Sequence, residues 1–453
     1  MSTKLTEKQS LLDRATKNFG RLLRGRGVAA VLELITVALL ARALSPADFG
    51  QIVLIQTYVL IVRGLFNCRL FEAVIRFGVP AIEAHDDVSL RKLLRLTLFI
   101  DLAASALATV VALLAAPLVA GFLAWDASLV LAAMLYSSVL VTAGIGTPKG
   151  ILRLFDRFDV LGIQLMVSPV LRLAGVILAL SLDAGLLWLV AVLAAGTLAG
   201  NFYLIARGWR EFRRRIGGSV LRGPSLKAWQ QDFPGLRAFL TIVYLQTNVD
   251  MLPKHISTLL AGSFLGPAAA GMLRLAREAT KILSKPGALL QQVLFPDLVR
   301  LWGRGADSFR MILLRALMIS GLFGLVFIIG SFFGGRLLFT SVLGPDYADA
   351  APLLTLLLLS ATLELAAVVL RTAGYAIGHA GEILRLHLVS AVIYLAAFSV
   401  LTPRMGLIGP GIAACVAATV TLLGIGRLVA KSLRNAPPDS DQAQAPGRPT
   451  RQV

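Results

Sequence analysis

Apolar stretches long enough to cross a bilayer recur along the whole chain, and that recurrence restricts the fold more than any other feature. Each holds roughly 17–25 residues, the length a helix needs to traverse the hydrocarbon core. They fall near 27–44, 49–66, 96–117, 128–146, 160–180, 187–206, 238–263, 268–290, 313–333, 352–370, 386–401 and 407–426. Charges and Pro253 make the seventh and eighth the least apolar. A chain that is 57% hydrophobic and 15% charged is too apolar for a soluble domain of 453 residues. The reading is an all-α polytopic membrane protein with about twelve transmembrane helices. Ala41-Arg42-Ala43 resembles a signal-peptide cleavage site, but some 26 polar residues precede the first stretch and Glu33 interrupts it. It reads as an uncleaved span.

The placement of charge orients the helices. A formal net charge of +19 is by itself compatible with nucleic-acid binding. With the N-terminus in the cytoplasm, however, 35 of the 44 Lys and Arg lie in or beside cytoplasmic segments, and two, Arg336 and Arg404, lie in external loops. That asymmetry puts both termini inside and accounts for most of the charge through topology and anionic lipid headgroups. No compact basic domain remains to hold nucleic acid. Cys68 and Cys415 are far apart and the four histidines are scattered, so no disulfide, metal site or cofactor is expected.

The chain then divides into a cytoplasmic N-terminal segment (1–26), a first lobe of six spans (27–206), a cytoplasmic linker (207–237), a second lobe (238–431) and a polar, Pro-rich cytoplasmic tail (432–453) expected to be disordered. Leu44-Ser-Pro-Ala-Asp-Phe-Gly50 matches Leu265-Gly-Pro-Ala-Ala-Ala-Gly271 at an offset of 221, which also lays Gly185-Leu186 on Gly406-Leu407. Six helices followed by six in the same orientation imply two six-helix bundles related by a parallel pseudo-two-fold repeat around a central cavity. The pairs Gly196/Gly200, Gly330/Gly334 and Gly374/Gly378 read as close helix-packing faces.

Within the spans, charge concentrates on the eighth. Arg274, Arg277, Glu278, Lys281 and Lys285 lie along one side of a helix. Charges at bilayer depth face a bundle interior or a wet cavity, and a net-cationic stripe there suits an anionic substrate. Arg274, Arg277 and Lys281 are the leading substrate-binding candidates; the bland alternative is pairing with Glu278 or snorkelling to the interface. Arg172, Arg63 and Lys254 are second-line cavity cations, with Asp250 placed to neutralise Lys254 one turn away. Glu33 and Glu364 are candidates for a coupling proton, against the alternative of bonding to a neighbouring helix. Arg24 and Arg26 read as topology signals.

In its motifs the chain resembles the polysaccharide transporter (Wzx-type flippase) branch of the multidrug/oligosaccharidyl-lipid/polysaccharide (MOP) superfamily. The residues that carry the likeness are Ala41-Arg-Ala-Leu-Ser-Pro-Ala-Asp-Phe-Gly50, Arg153-Leu-Phe-Asp-Arg-Phe158, Asn248-Val-Asp250, Leu265-Gly-Pro267, Leu294-Phe-Pro-Asp-Leu298, Val342-Leu-Gly-Pro-Asp-Tyr347 and Gly406-Leu-Ile-Gly-Pro-Gly-Ile-Ala413. The resemblance implies a non-enzymatic flippase that moves undecaprenyl-diphosphate-linked oligosaccharide from the inner to the outer leaflet of a bacterial inner membrane by alternating access. It also implies membrane lipids, a glycan polymerase and a chain-length regulator as partners. Proton and sodium coupling both stay open. A drug or cation antiporter of the same superfamily would favour carboxylates over the basic stripe. A glycan polymerase or ligase would need a large external catalytic loop, and the longest here, about 334–351, holds only Arg336, Asp346 and Asp349 as charged groups.

Overall fold

The structure, a computed structural model, describes residues 2–218, 220, 226, 229–302 and 306–435; the side chains of 2–19, 21–23, 250, 282–297, 299, 300, 306 and 307 lie outside that description. Fifteen helices and no strand run through the described residues. In chain order they are α1 (Ser2–Ala43), α2 (Pro46–Leu65), α3 (Leu70–Glu83), α4 (Asp87–Leu123), α5 (Ala127–Ser137), α6 (Gly146–Leu154), α7 (Phe158–Ser181) and α8 (Leu186–Arg215). They continue as α9 (Trp229–Asp232), α10 (Leu236–Leu265), α11 (Pro267–Trp302), α12 (Ala306–Val342), α13 (Ala351–Ile377), α14 (Ala380–Met405) and α15 (Gly409–Arg434). All but α3, α6 and α9 coincide with the twelve expected spans, α5 being lengthened by a 3-10 turn over Ser138–Thr142. Eight stretches are long and apolar enough to cross a membrane by length and composition, and Ala380–Arg434 holds two helices. The helices α1, α10 and α11 stand outside those eight, because their apolar runs are the most interrupted by charge. Leu114, Leu118, Leu322, Phe332 and Phe333 are exposed, as side chains facing lipid would be.

Local chemistry sets the helix starts. Ser45 caps α2, its hydroxyl oxygen accepting from the Asp48 N–H at 3.1 Å, with Pro46 in the first helical position. Asp86 and Asp126 cap α4 and α5 in the same way, accepting from the Ser89 and Leu129 N–H at 2.9 and 2.8 Å. Two short sequence motifs that carry the resemblance therefore have structural work. The second is Arg153–Phe158, in which Arg157 bonds Asp159 at 3.1 Å and the buried Glu211, fastening the start of α7 to the end of α8.

By internal contacts the chain divides into two compact units, Met1–Leu259 and Leu260–Val453. This boundary falls later than the expected linker at 207–237, for a packing reason. Phe212 and Ile216 are buried against Val74 and Leu90, which prolongs α8 to Arg215 inside the expected linker. Phe233 and Leu236 then pack on Ala73, Leu93 and Leu96, so the start of α10 belongs with the first unit. The tail is also helical at its start, since α15 runs to Arg434; residues 436–453 lie outside the described residues. The segment before the first span is continuous with it as one helix, α1. The core of the second unit joins Phe309 and Leu313 of α12, Val369 and Ala373 of α13, Ile383 of α14, and Ile425 and Val429 of α15.

Of the three glycine pairs, one is a close packing face along its whole length. A Cβ on Gly196 would lie 2.6 Å from the Arg172 side chain and one on Gly200 3.0 Å from Ser168, so α7 and α8 approach through them. Nothing approaches Gly330 or Gly334 within 4 Å, which corrects the packing expectation there. Gly374 meets Ile383 at 2.7 Å, whereas Gly378 serves as the left-handed end of α13 with φ 105°.

Candidate functional site

Two short helices build a basic cavity in the first unit. On α3 the buried face is Leu70, Ala73, Val74, Gly78 and Ala81, a helical spacing that leaves Phe71, Glu72, Ile75 and Arg76 on other faces. On α6 the residues Lys149 and Arg153 are one turn apart and share a side. The two helices meet at glycines. A Cβ on Gly150 would come within 2.6 Å of Val74, and one on Gly78 within 3.1 Å of Leu154. That approach carries both cations of α6 onto one aromatic ring of α3. The Lys149 ammonium lies 4.7 Å and the Arg153 guanidinium 4.6 Å from the centre of Phe71, with Arg69 at 5.4 Å, all within cation–π range.

Around this ring opens a cavity of about 600 Å³, lined by Arg26, Asn67, Arg69, Phe71, Glu72, Arg76, Lys149, Arg153 and Thr247 among others. Five of these are cations and Glu72 alone is a carboxylate. Arg69 pairs with Glu72 at 2.5 Å and also donates to the Thr247 hydroxyl at 3.3 Å. Arg153, Arg69, Arg63 and Arg26, all cations, lie close enough to act on Lys149. Among the described residues, the buried Arg153 Nε has no hydrogen-bond partner. Arg69 itself sits in the left-handed region at φ 47°, its N–H donating to Asn67 Oδ1 at 3.0 Å. Like charges gathered this closely repel unless an anion offsets them. With planar guanidinium forks beside an ammonium, the arrangement suits phosphate oxygens.

The residues expected from the sequence are elsewhere, with one exception. On α11 of the second unit, Glu278 receives Arg274 at 3.0 Å and Lys281 at 2.6 Å, the bland alternative for both. Arg277 donates to the Tyr394 hydroxyl of α14 at 2.7 Å. The side chain of Lys285 lies outside the described residues. In the first unit Arg172 pairs with Glu33 at 3.5 Å and also donates to the Thr197 hydroxyl, joining α1, α7 and α8. Lys254 is exposed on α10; its carbonyl accepts the Ser257 and Thr258 hydroxyls at 2.9 and 3.1 Å, and the Asp250 side chain lies outside the described residues. Glu33 and Glu364 both lie exposed on the protein surface, Glu33 beside Arg172. The exception is Arg63, which lines a small cavity next to the basic one, with Asn67 common to both.

Sequence reasoning missed Arg69, Arg76, Lys149 and Arg153, counting them as topology signals, and read Arg26 in the same way. A usable signal was present. Phe71 lies two residues after Arg69 in a segment between spans, and Arg153 opens one of the motifs that carry the resemblance.

Comparison with known proteins agrees with this architecture. The polysaccharide biosynthesis protein family matches residues 15–302. A curated relative, the inner membrane protein YghQ of Escherichia coli (strain K12), is 26% identical over 327 residues, covering 72% of this chain and 92% of the relative. Among solved structures, an inward-facing multidrug resistance MATE family transporter of the MOP superfamily superposes with a TM-score of 0.70 at 16% identity, over 90% of this chain and 96% of the other. The lipid II flippase MurJ, in an inward closed conformation, gives 0.67 at 14% identity, over 91% and 88%. These likenesses establish the MOP transporter fold.

Proposed function

The chain belongs to the polysaccharide biosynthesis protein family, and from that premise we propose that it is an inner-membrane flippase for a lipid-linked glycan whose diphosphate docks on Phe71, Lys149 and Arg153. The observation that carries the reading is the uncompensated charge: five cations and one carboxylate around a cavity of about 600 Å³. A polyprenyl-diphosphate cargo brings at least two negative charges and a bulky polar glycan, while its tail stays in lipid. The charge ratio supports such a headgroup over the cationic drugs of a multidrug antiporter. YghQ, named an inner membrane protein, and MurJ, named a lipid II flippase, support the membrane and the class of cargo.

Arg26 marks the cavity's end of α1 as the end where the N-terminal segment enters. With both termini cytoplasmic, this is where a cargo assembled on the inner leaflet would be met. The headgroup then crosses by alternating access, and each negative charge moved outward gains about 2.3 kcal/mol per 100 mV of inside-negative potential. Arg274, Arg277 and Lys281 remain candidates for a later contact, with Arg277 the least engaged by Glu278. A transporter of this kind performs no covalent step.

The test is transfer of a labelled polyprenyl-diphosphate glycan in proteoliposomes. Replacing Lys149 and Arg153 together by Ala should slow transfer by about a hundredfold, the scale of two lost charge-assisted contacts. Wild-type transfer by that double variant would refute the assignment. Cysteines placed at Ser128 and Asp183 should label from the outer side of whole cells, and labelling only after permeabilisation would reverse the orientation.

A further inference from the structure

Beside the basic cavity lies a second, much smaller one of about 20 Å³, lined by Arg63, Asn67, Cys68, Asp101, Ser105 and Gly144 among others. That is room for about one water molecule. Asp101, on α4, is 7% exposed, and no ion pair joins it to Arg63 among the described residues. Its carboxylate has one evident structural task. The residue before α6, Ile145, offers no capping side chain, and Asp101 supplies the cap from 46 residues away, accepting the Thr147 N–H at 2.6 Å. Glycines make room for it. A Cβ on Gly146 would lie 3.0 Å from the carboxylate, and one on Gly144 2.9 Å from the Asp101 carbonyl.

The helix so capped carries Lys149 and Arg153. An ionised carboxylate at a helix N-terminus accepts an orphan N–H and interacts favourably with the helix dipole, and a neutral carboxyl keeps an acceptor oxygen but loses the charge, and with it most of the interaction with the dipole. We propose that Asp101 is a proton-operated latch on the anion cavity: ionised, it holds α6 so that Lys149 and Arg153 meet at Phe71, and protonated, it lets that end of α6 go. The proposal rests on the reading of the basic cavity as the anion site. The groups facing Asp101 are Arg63 from α2, Cys68 from the connection after it, Ser105 from its own helix and the N-terminus of α6. Of these only Arg63 carries a charge.

The consequence is a coupling with a definite sign. Anion binding and proton binding oppose one another, so protons arriving from the outer side favour release of an anionic headgroup there. Direct charge interaction alone runs the other way, because an anion nearby favours a protonated carboxyl. The sign of the pH dependence therefore separates the latch from simple electrostatics.

The experiment uses the full-length protein in lipid nanodiscs, with farnesyl diphosphate as the probe, between about pH 8 and about pH 5, and compares wild type with Asp101→Asn at each pH so that titration of the probe cancels. Wild-type affinity should fall on acidification by about two- to fivefold more than that of Asp101→Asn, the effect of one lost charge at a helix N-terminus. Equal pH dependence in the two proteins, or wild-type affinity that tightens on acidification relative to Asp101→Asn, overturns the latch. Hydrogen exchange of residues 147–153, corrected for intrinsic rate, decides it independently of the probe. Protection should drop with pH in wild type, stay level in Asp101→Asn and be low throughout in Asp101→Ala. Protection that does not depend on residue 101 overturns the proposal even if the probe binds. No probe binding by wild type at any pH, with the exchange pattern intact, instead removes the anion site and leaves the latch standing.

Discussion

The stripe on α11 and the cluster around Phe71 use the same side chains and reach opposite electrostatic states. On α11, a spanning helix, Arg274 and Lys281 share Glu278 one turn away, and Arg277 leans on Tyr394. Around Phe71 the cations belong to α1, α6, the α2–α3 connection and α3, and they outnumber their one carboxylate five to one. The difference follows from where each group is anchored. A helix that crosses the hydrocarbon must neutralise its charges from its own bundle, since an unpaired cation at that depth costs about 3 kcal/mol or more. Short helices at the end of a bundle reach water and can gather charge for a ligand to neutralise. No counterpart of α3 or α6 follows α11 or α13 among the described residues, so the two halves share a span count but divide the chemistry.

That contrast can be attacked directly. Reversing charge in the cluster, with Lys149→Glu and Arg153→Glu together, should abolish glycan transfer in proteoliposomes while expression and membrane insertion stay normal. Preserved transfer would make the cluster a mere topology signal. Gly150→Ala should come next. Its new methyl group meets Val74, and overpacking at such a contact costs about 1–3 kcal/mol. Thermal unfolding should shift downward and farnesyl diphosphate affinity should fall with it; a variant as stable and as tight-binding as wild type would show that the α3–α6 contact does not set the site. Glu278→Gln strips the stripe of its counter-charge and, the group being only partly buried, should cost about 1–2 kcal/mol of stability with little change in anion affinity. If affinity instead changes more than stability, the stripe and not the cluster is where the anion binds. Phe71→Leu keeps an apolar surface but removes the ring quadrupole, so anion binding should weaken by only about two- to fivefold. An effect as large as that of the charge reversals would mean that the ring does more than hold its cations.

The spans were legible because length and hydropathy are local properties. The caps at Ser45 and the break at Gly266, with φ 87°, could be read the same way. The site was not, and the reason is distance along the chain. Phe71 and Arg153 are 82 positions apart, and nothing near either residue says that they touch. Arg69, Arg76 and Lys149 lie in short connections where the orientation rule already explains a basic residue, so that explanation absorbed them. The stripe drew notice because hydrophobic surroundings make a charge conspicuous, yet the same surroundings had supplied Glu278. Glu33 and Glu364 were conspicuous for that reason too, while Asp101, a buried carboxylate inside the third span, drew no reading.

The left-handed backbone of Arg69 has a consequence for how this protein would drift. A branched-out side chain at φ 47° carries a conformational penalty of about 1 kcal/mol that glycine or asparagine would avoid. Selection for heat tolerance alone should therefore discard the arginine early, and lineages kept under demand for surface glycan should retain it. Passaging a randomised codon 69 under the two regimes would show whether the residue at this position records folding or cargo.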